Sequence, residues 1–215
     1  MAALRLANYW KQRVGLFGSA SFEPELTIAS LSGDGSFALR TGFVQILPHK
    51  DSKGRAMAFI QPRKLSASYS RVGMLKALWY MVHILLKEVS AQQKGVIFLI
   101  DLSGSEMRHF DVPLVQMCAE SIRGTLPLRM SAMHFCQPPF LFYLLSGVVK
   151  FALGERLRKR VYVHSQWWIK QDNQRKIGLQ KFGFTRDNLP RELGGELVLN
   201  HADWIEQMEV NEKTD

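Results

Sequence analysis

The chain has 215 residues, 47% of them hydrophobic and 22% charged, a balance typical of one sizeable folded domain. Collagen-like, low-complexity and disordered chains are excluded by this composition. Two cysteines are too few for a disulfide framework, so we expect a reducing, cytoplasmic environment. The quantity that needs explanation is the net charge of +9, from 28 basic and 19 acidic residues.

The N-terminal part of the sequence predicts a helix, a connection and a hairpin. Residues 1–18 have the pattern of a short amphipathic helix, and residues 19–36 read as a connecting loop with a brief helix or turn. Strands are predicted over 43–47 and 55–60, on either side of a turn at 51–54. Together the two strands predict a β-hairpin.

The middle of the chain alternates helical and strand patterns. Apolar residues recur at helical spacing over 72–89, and residues 112–122 also predict a helix. The continuous apolar run 96–100 predicts a strand buried on both faces, and 130–136 predicts another strand. A short buried strand is predicted at 161–163. This order predicts an α/β fold with a mixed sheet flanked by helices.

The longest uncharged stretch, residues 135–149, is too short for a transmembrane helix, and two prolines interrupt it near its start. We predict instead a helix over residues 140–153 with proline at its first turn. This helix is apolar on nearly all sides, which is typical of a buried core helix. The same pattern also suits a helix with an apolar cavity on one side and lipid on the other. Both interpretations stay open at this point.

The excess positive charge is local. Residues 150–191 carry a net charge of +8, whereas residues 192–215 carry −6. Residues 182–184 and 189–195 predict loops, and the chain beyond His201 predicts an acidic helix. The densest cations, 156–160, directly follow the apolar helix. Such a cluster suits nucleic-acid phosphates or an anionic membrane surface, or is a solvated face without a partner. Nucleic acid is disfavoured, since only Trp167 and Trp168 supply aromatic residues near these cations.

Candidate catalytic residues are few. Asp101 follows a buried strand, where open α/β sheets often hold a catalytic carboxylate. The sequence has none of the motifs of dinucleotide, phosphate, serine-nucleophile or metalloprotease sites. We therefore predict that Asp101 accepts hydrogen bonds from loop N–H groups. The six histidines are far apart in sequence, and we expect them to be structural or surface residues. Catalysis, a metal and a cofactor other than a bound hydrophobic ligand are not expected.

A series of short motifs extends from about residue 40 to residue 199. The motifs, in order, are Asp51-x-x-Gly54-Arg55, Phe98-Leu99-Ile100-Asp101-x-x-Gly104, Pro127-Leu128-Arg129-Met130, Pro139-Phe140-x-Phe142, Lys150, Arg160-Val161-Tyr162-Val163 and Leu189-Pro190-x-x-x-Gly194-Gly195. Each is weak alone, but their order and spacing together are specific. This series resembles the CRAL-TRIO lipid-binding family, in particular its fungal phosphatidylinositol/phosphatidylcholine transfer group.

The resemblance implies a mixed sheet that floors an apolar pocket, covered by a mobile gate helix that matches residues 140–153. It also implies three regions. Residues 1–35 match only the end of the helical module that precedes the lipid domain in the family. Residues 36–199 correspond to the lipid domain itself, and residues 200–215 form an acidic tail.

Departures from the family pattern bear on the ligand. Inositol-lipid members have an acid that contacts the inositol headgroup at the position of Leu128, and a lysine at the position of Arg160. Gln137 stands where they have asparagine. Losing the acid while keeping the cation argues against the usual inositol contact. Other phospholipids, or a hydrophobic ligand such as a tocopherol or a retinoid-like molecule, remain open.

We predict a non-enzymatic protein that binds and transfers a phospholipid or other hydrophobic molecule, with reversible peripheral attachment to an anionic membrane. The alternative is a lipid-sensing or scaffolding module without net transfer; no protein partner is identified. Gly147 and Gly154 are candidate flexible points. The predicted ligand contacts are Met133, Phe135, Phe140, Tyr143, Leu144, Val148, Phe151 and Arg160. The predicted membrane contacts are Phe142, Lys150, Arg156, Arg158 and Lys159.

Overall fold

A five-stranded mixed sheet organises the protein. The computed structural model describes residues 2–65, 69–164 and 178–214. The strands lie side by side in chain order, with β1 antiparallel to β2 and the remaining pairs parallel. Their bounds are β1 Val44–Ile46, β2 Ala56–Ile60, β3 Val96–Asp101, β4 Met130–Cys136 and β5 Val161–His164. The helices are α1 Ala2–Phe17, α2 Ser32–Arg40, α3 Arg71–Leu86, α4 Val89–Lys94, α5 Val112–Glu120, α6 Phe140–Arg158 and α7 His201–Thr214. The predicted α/β class with a mixed sheet is confirmed.

The β1–β2 hairpin forms as predicted, and its turn is held by one carboxylate. The Asp51 side chain accepts the backbone N–H groups of Lys53 at 3.1 Å and Arg55 at 2.7 Å. It also pairs with the Arg55 guanidinium at 2.6 Å. Gly54 follows with φ of +70°, a conformation that L side chains disfavour.

The strands follow one another across the sheet in chain order, and this explains why the long helices share one face of the sheet. Each parallel crossover, from β2 to β5, steps one strand in the same direction, and right-handed crossovers of this kind place their helices on the same side. Accordingly, one hydrophobic cluster joins alternate sheet residues such as Phe98 and Phe135 to Leu78 of α3, Leu114 of α5 and Phe142 of α6.

The opposite face of the sheet is covered by the segment 179–193, which follows all five strands. Phe184, Leu189 and Leu193 pack there against sheet residues that include Phe59 and Leu99. The sequence predicts loop structure for this region, and it consists of short 3₁₀ turns and irregular chain. Both faces of the central strands are therefore buried, in agreement with the predicted burial of 96–100.

The first and last helices pack onto the same core as the sheet. Tyr9 of α1 stacks on Trp79 of α3, with ring centroids 5.4 Å apart. From α7, the Glu212 carboxylate accepts the Ile28 N–H at 2.8 Å and the Tyr80 hydroxyl at 2.6 Å. Ile205 of α7 is buried in the main cluster.

The brief helix or turn predicted within 19–36 is confirmed, because α2 begins there at Ser32. Two element predictions need correction. The helix predicted over 72–89 ends earlier, at Leu86, and a separate helix, α4, begins at Val89. The strand predicted as buried at 161–163 is half-exposed, because β5 is the edge strand of the described sheet. Among the described residues, no helix has the length and apolar character needed to cross a bilayer.

Candidate functional site

An apolar cavity of about 150 Å³ lies between the sheet and the helices α3, α5 and α6. Its floor is formed by side chains that project from one face of the sheet, and its far wall by α6. The floor residues are Val44, Ile60, Phe98, Ile100, Met133 and Phe135. A cavity with such a lining stays dry and favours apolar occupants.

The predicted gate helix is α6, and Phe142 is the side chain that anchors it over the cavity. Phe142 is only 2% exposed, and its ring lies 5.0 Å from the ring of Phe135 on β4 and 6.5 Å from that of Phe110. Val149 and Leu153, further along α6, also line the cavity. This side of α6 therefore faces the sheet.

The other side of α6 is exposed although it is apolar. Phe140 is 70%, Leu144 68% and Phe151 77% exposed, and Tyr143 is also exposed. The sequence predicts these four residues as ligand contacts and Phe142 as a membrane contact, whereas in the structure Phe142 lines the cavity and the four residues do not. The physical reason is that a helix apolar on nearly all sides carries no sequence signal for which face turns inward.

Other predicted residues divide between the cavity and its surroundings. Met133 and Phe135 line the cavity. Arg158 and Lys159 are exposed at the end of α6, where Lys159 lies 3.9 Å from Glu155. The predicted side-chain roles of Val148, Lys150 and Arg156 fall outside the described part of the chain.

Helix α6 is kinked at Gly154, one of the two predicted flexible points. Its φ of +73° and ψ of +169° lie in a region essentially restricted to glycine, so the two parts of α6 join at a backbone position without helical geometry. A Cβ on Gly154 would lie 3.1 Å from the Arg123 guanidinium. Gly147, in contrast, lies within the helix with open space around the position of its missing Cβ.

A basic groove of about 840 Å³ borders this kink. The arginines 5, 123, 129 and 160 line it, together with a single acid, Glu155. Arg160, predicted to contact ligand, lies here and not in the apolar cavity, and its guanidinium donates to the Met130 carbonyl. Leu128, at the family's acid position, is buried in the groove wall.

The segment 109–111 forms the most polar part of the cavity wall. The His109 Nδ1 accepts the backbone N–H of Glu106 at 2.8 Å. The Asp111 carboxylate accepts from the Tyr69 hydroxyl, from Arg71 Nε at 2.7 Å and from the Leu114 N–H at 3.1 Å. Burial alone would raise the pKa of Asp111, but these hydrogen bonds outweigh it and lower that pKa.

Neither His109 nor Asp111 is among the site residues predicted from the sequence. Asp111 precedes Val112-Pro113, and an acid before a proline in the first turn is a signal for a helix N-cap. The only sequence signal for His109 is its place in the loop after the buried strand β3. Cys118, a free thiol, also lines the cavity, and burial raises its pKa to about 12.

On the opposite face of the sheet, two histidines that are 30 residues apart in sequence meet on adjacent strands. His134 Nδ1 lies 2.8 Å from His164 Nε2. Burial lowers the pKa of His134 to about 3 and that of His164 to about 4. Over the described ranges, no group of three or more histidine, cysteine or acidic residues is placed to hold a metal ion.

Asp101, the candidate catalytic carboxylate, is fully buried at the end of β3. It accepts the Ser103 N–H at 3.0 Å and pairs with the Arg63 guanidinium at 2.7 Å. Acceptance of a loop N–H is the structural role predicted for it. The arrangement fixes the loop after β3 beside the cavity.

Comparisons with known proteins show which family the chain is similar to. The model of the CRAL/TRIO domain matches residues 40–195. An alpha-tocopherol transfer protein-like protein of Mus musculus is 25% identical over 171 residues, which are 77% of this chain and 47% of that protein. Clavesin-1 of Xenopus laevis is 25% identical over 131 residues, covering 59% of this chain and 40% of the relative. This chain thus spans about half the length of the curated relatives it matches, or less.

The fold is also similar to that of a solved structure. The crystal structure of Sfh5 superposes with a TM-score of 0.53 over 94% of this chain and 72% of that chain. The two sequences are 13% identical, so the likeness concerns the fold alone.

Proposed function

Because the chain belongs to the CRAL/TRIO family, we propose that it holds a hydrophobic small molecule in the cavity beneath α6 and transfers it between membranes. The observation that carries this proposal is the construction of α6. Its inner side, with Phe142 and Leu153, closes an apolar cavity, while its outer side exposes Phe140, Leu144 and Phe151 to solvent. A helix that only completed a core would not need an apolar outer side.

The energetic problem that such a protein solves is the exposure of the ligand to water. At about 0.8 kcal/mol per methylene group, a sixteen-carbon chain costs on the order of 10 kcal/mol when it leaves a bilayer for water. In an apolar cavity the ligand leaves one apolar environment for another. The free energy of transfer from the bilayer to the protein is therefore close to zero, and the transfer is reversible.

Entry of the ligand requires movement of α6. The cavity of about 150 Å³ is smaller than the roughly 300–1,000 Å³ of typical ligand pockets. Outward rotation of the part of α6 before Gly154 would separate Phe142 from Phe135 and enlarge the space. The glycine-specific backbone at Gly154 is a suitable hinge for this movement.

The exposed side of α6 and the basic groove favour reversible docking on an anionic membrane. The outer aromatic and aliphatic side chains find lipid tails when α6 meets a bilayer. The neighbouring cations, Arg129 and Arg160 in the groove and Arg158 and Lys159 at the helix end, face phosphate-bearing headgroups. Each cation close to such a surface contributes about 1 kcal/mol.

The ligand we favour is a tocopherol-like or other neutral lipid. Buried Leu128 offers an inositol ring no hydrogen bond, and a relative carries tocopherol transfer in its name. Mass spectrometry of organic extracts of the purified protein tests for a co-purified ligand. A protein that folds correctly, carries no lipid and accepts neither α-tocopherol nor a phospholipid from vesicles would contradict the proposal.

A transfer assay with matched variants tests the role of α6. Phe140→Asp should reduce α-tocopherol transfer between donor and acceptor vesicles at least ten-fold. Val198→Asp, which alters a similarly exposed apolar residue in the C-terminal segment, should leave it unchanged. Circular dichroism of both variants checks that each is folded. If the protein binds α-tocopherol but fails to deliver it, the chain is a lipid-sensing or scaffolding module, the alternative on this fold.

A further inference from the structure

We propose that His109 is a specificity-determining residue, which selects cavity ligands bearing a neutral oxygen that accepts a hydrogen bond from its Nε2–H. This inference rests on the proposed function, because it assigns a ligand class to the same cavity. The class comprises apolar molecules with one hydroxyl, carbonyl or ether oxygen. Pure hydrocarbons and carboxylic acids lie outside it.

The position of His109 in the cavity wall is the first observation. Its side chain lines the cavity and is 7% exposed, among walls that are otherwise almost wholly apolar. A polar group buried in such a place is costly unless it finds a partner. Within residues 2–65, 69–164 and 178–214, the one hydrogen bond found for the His109 side chain is that of Nδ1 with the Glu106 N–H.

That hydrogen bond fixes which nitrogen of the ring carries the proton. A backbone N–H is always a donor, so Nδ1 of His109 must be the unprotonated acceptor. Burial and the nearby Arg108 lower the pKa of His109, which keeps the ring neutral. A neutral imidazole with an unprotonated Nδ1 carries its hydrogen on Nε2. His109 therefore offers a donor that needs an oxygen acceptor.

Neighbouring side chains exclude the other ligand classes. Asp111 also lines the cavity, and its carboxylate is held ionised by Tyr69, Arg71 and the Leu114 N–H. A ligand carboxylate next to His109 would meet this negative charge without a cation of its own. A pure hydrocarbon would leave the Nε2–H without a partner. Cys118, the other polar lining side chain, is only a weak donor.

A matched ligand series tests the assignment in the whole chain. The probes are pyrene, 1-pyrenemethanol and 1-pyrenecarboxylate, which share one ring system and report binding by fluorescence. In His109→Phe, a ring of similar size remains but the donor is lost. His109→Gln keeps an amide donor near the position of Nε2. Both variants lose the Nδ1 acceptor and with it the hydrogen bond from the Glu106 N–H. Loss of that bond therefore does not explain a difference in binding between the two variants.

The expected result is selective. His109→Phe should weaken binding of 1-pyrenemethanol about five-fold and leave pyrene unchanged, while His109→Gln should retain most of the alcohol affinity. The carboxylate should bind the native protein most weakly. An equal change for pyrene and the alcohol in His109→Phe would overturn the assignment of His109 and leave the cavity proposal intact. Failure of the folded native protein to bind any of the three probes would overturn both.

Discussion

Phe142 of α6 lies against Phe135 of β4 with ring centroids 5.0 Å apart, and this contact joins α6 to the floor of the cavity. Both rings are buried and both line the same space. The position of α6 over the sheet therefore depends on buried contacts such as this aromatic pair, and less on the exposed apolar residues of the helix. Removal of the buried Phe142 ring should therefore destabilise the protein, whereas removal of an exposed ring on the outer side of α6 should have little effect.

The matched substitutions Phe142→Ala and Phe140→Ala test this difference. Phe142→Ala should lower the free energy of unfolding by about 3 kcal/mol, since it deletes a buried ring. Phe140, at 70% exposed, should cost less than about 0.5 kcal/mol when truncated. Urea denaturation followed by circular dichroism measures both. Equal losses in the two variants would show that the orientation of α6 is not the one described here.

The basic groove should contribute to membrane binding through charge alone. Arg129→Gln should weaken binding to vesicles containing phosphatidylserine about five-fold, which corresponds to about 1 kcal/mol. The effect should disappear in 1 M salt, where the screening length falls to about 3 Å. Lys213→Gln, at an exposed position on α7, is the control. Weaker binding of Arg129→Gln to uncharged vesicles would argue against the electrostatic explanation.

The kink at Gly154 predicts that alanine has opposite effects on stability at the two glycines Gly147 and Gly154 of α6. Gly154→Ala should destabilise the protein by about 1–3 kcal/mol, because its backbone conformation is essentially restricted to glycine. Gly147→Ala should stabilise it by up to about 1 kcal/mol, since alanine favours a helix and has room there. Thermal unfolding distinguishes the two. We also expect the Gly154→Ala variant to transfer ligand more slowly. An unchanged transfer rate would show that the kink is not needed for the proposed movement of α6.

The His134–His164 pair predicts loss of stability in acid. Burial lowers the pKa of His134 to about 3, whereas the unfolded chain binds a proton near pH 6.5. The unfolded state therefore binds more protons between these values, and stability is complete above about pH 6.5 and falls below it. The slope from His134 alone is about 1.4 kcal/mol per pH unit.

Urea denaturation from pH 7 to pH 4.5 measures this slope. His134→Leu should remove its own part of this slope, even if it changes the stability at pH 7, whereas His164 keeps its part because burial lowers its pKa to about 4. His49→Leu, at an exposed position, is the control variant. An unchanged slope in His134→Leu would mean that other buried groups, among them His83, His164 and His201, account for the acid sensitivity.

The elements that could be predicted from the sequence are those with clear hydrophobic periodicity or local turn chemistry. The hairpin around Asp51 and the buried strand β3 carry strong local signals, so their predictions are confirmed. The face of α6 could not be predicted, because Phe140 and Phe142 differ in exposure but not in character. What decides between them is the register of α6 over β4, which is a tertiary contact.

Contacts between residues that are far apart in the sequence could not be predicted either. His134 and His164 meet because β4 and β5 are parallel neighbours in a particular register, with His134 opposite Tyr162. The tautomer of His109 follows from one backbone hydrogen bond, which no spacing rule indicates. Similarly, β5 has the same apolar pattern as an inner strand, yet its position at the edge of the described sheet leaves it half-exposed.

The cover of the sheet's second face has a consequence for the order of folding. Residues 179–193, which bury Phe59 and Leu99 from that side, follow every strand in the chain. A nascent chain can thus pair its strands and dock α3, α5 and α6 while the second face is still bare. Exposed apolar surface of this kind makes folding intermediates prone to aggregate. We expect the chain to be most prone to aggregate between completion of β5 and docking of residues 179–193.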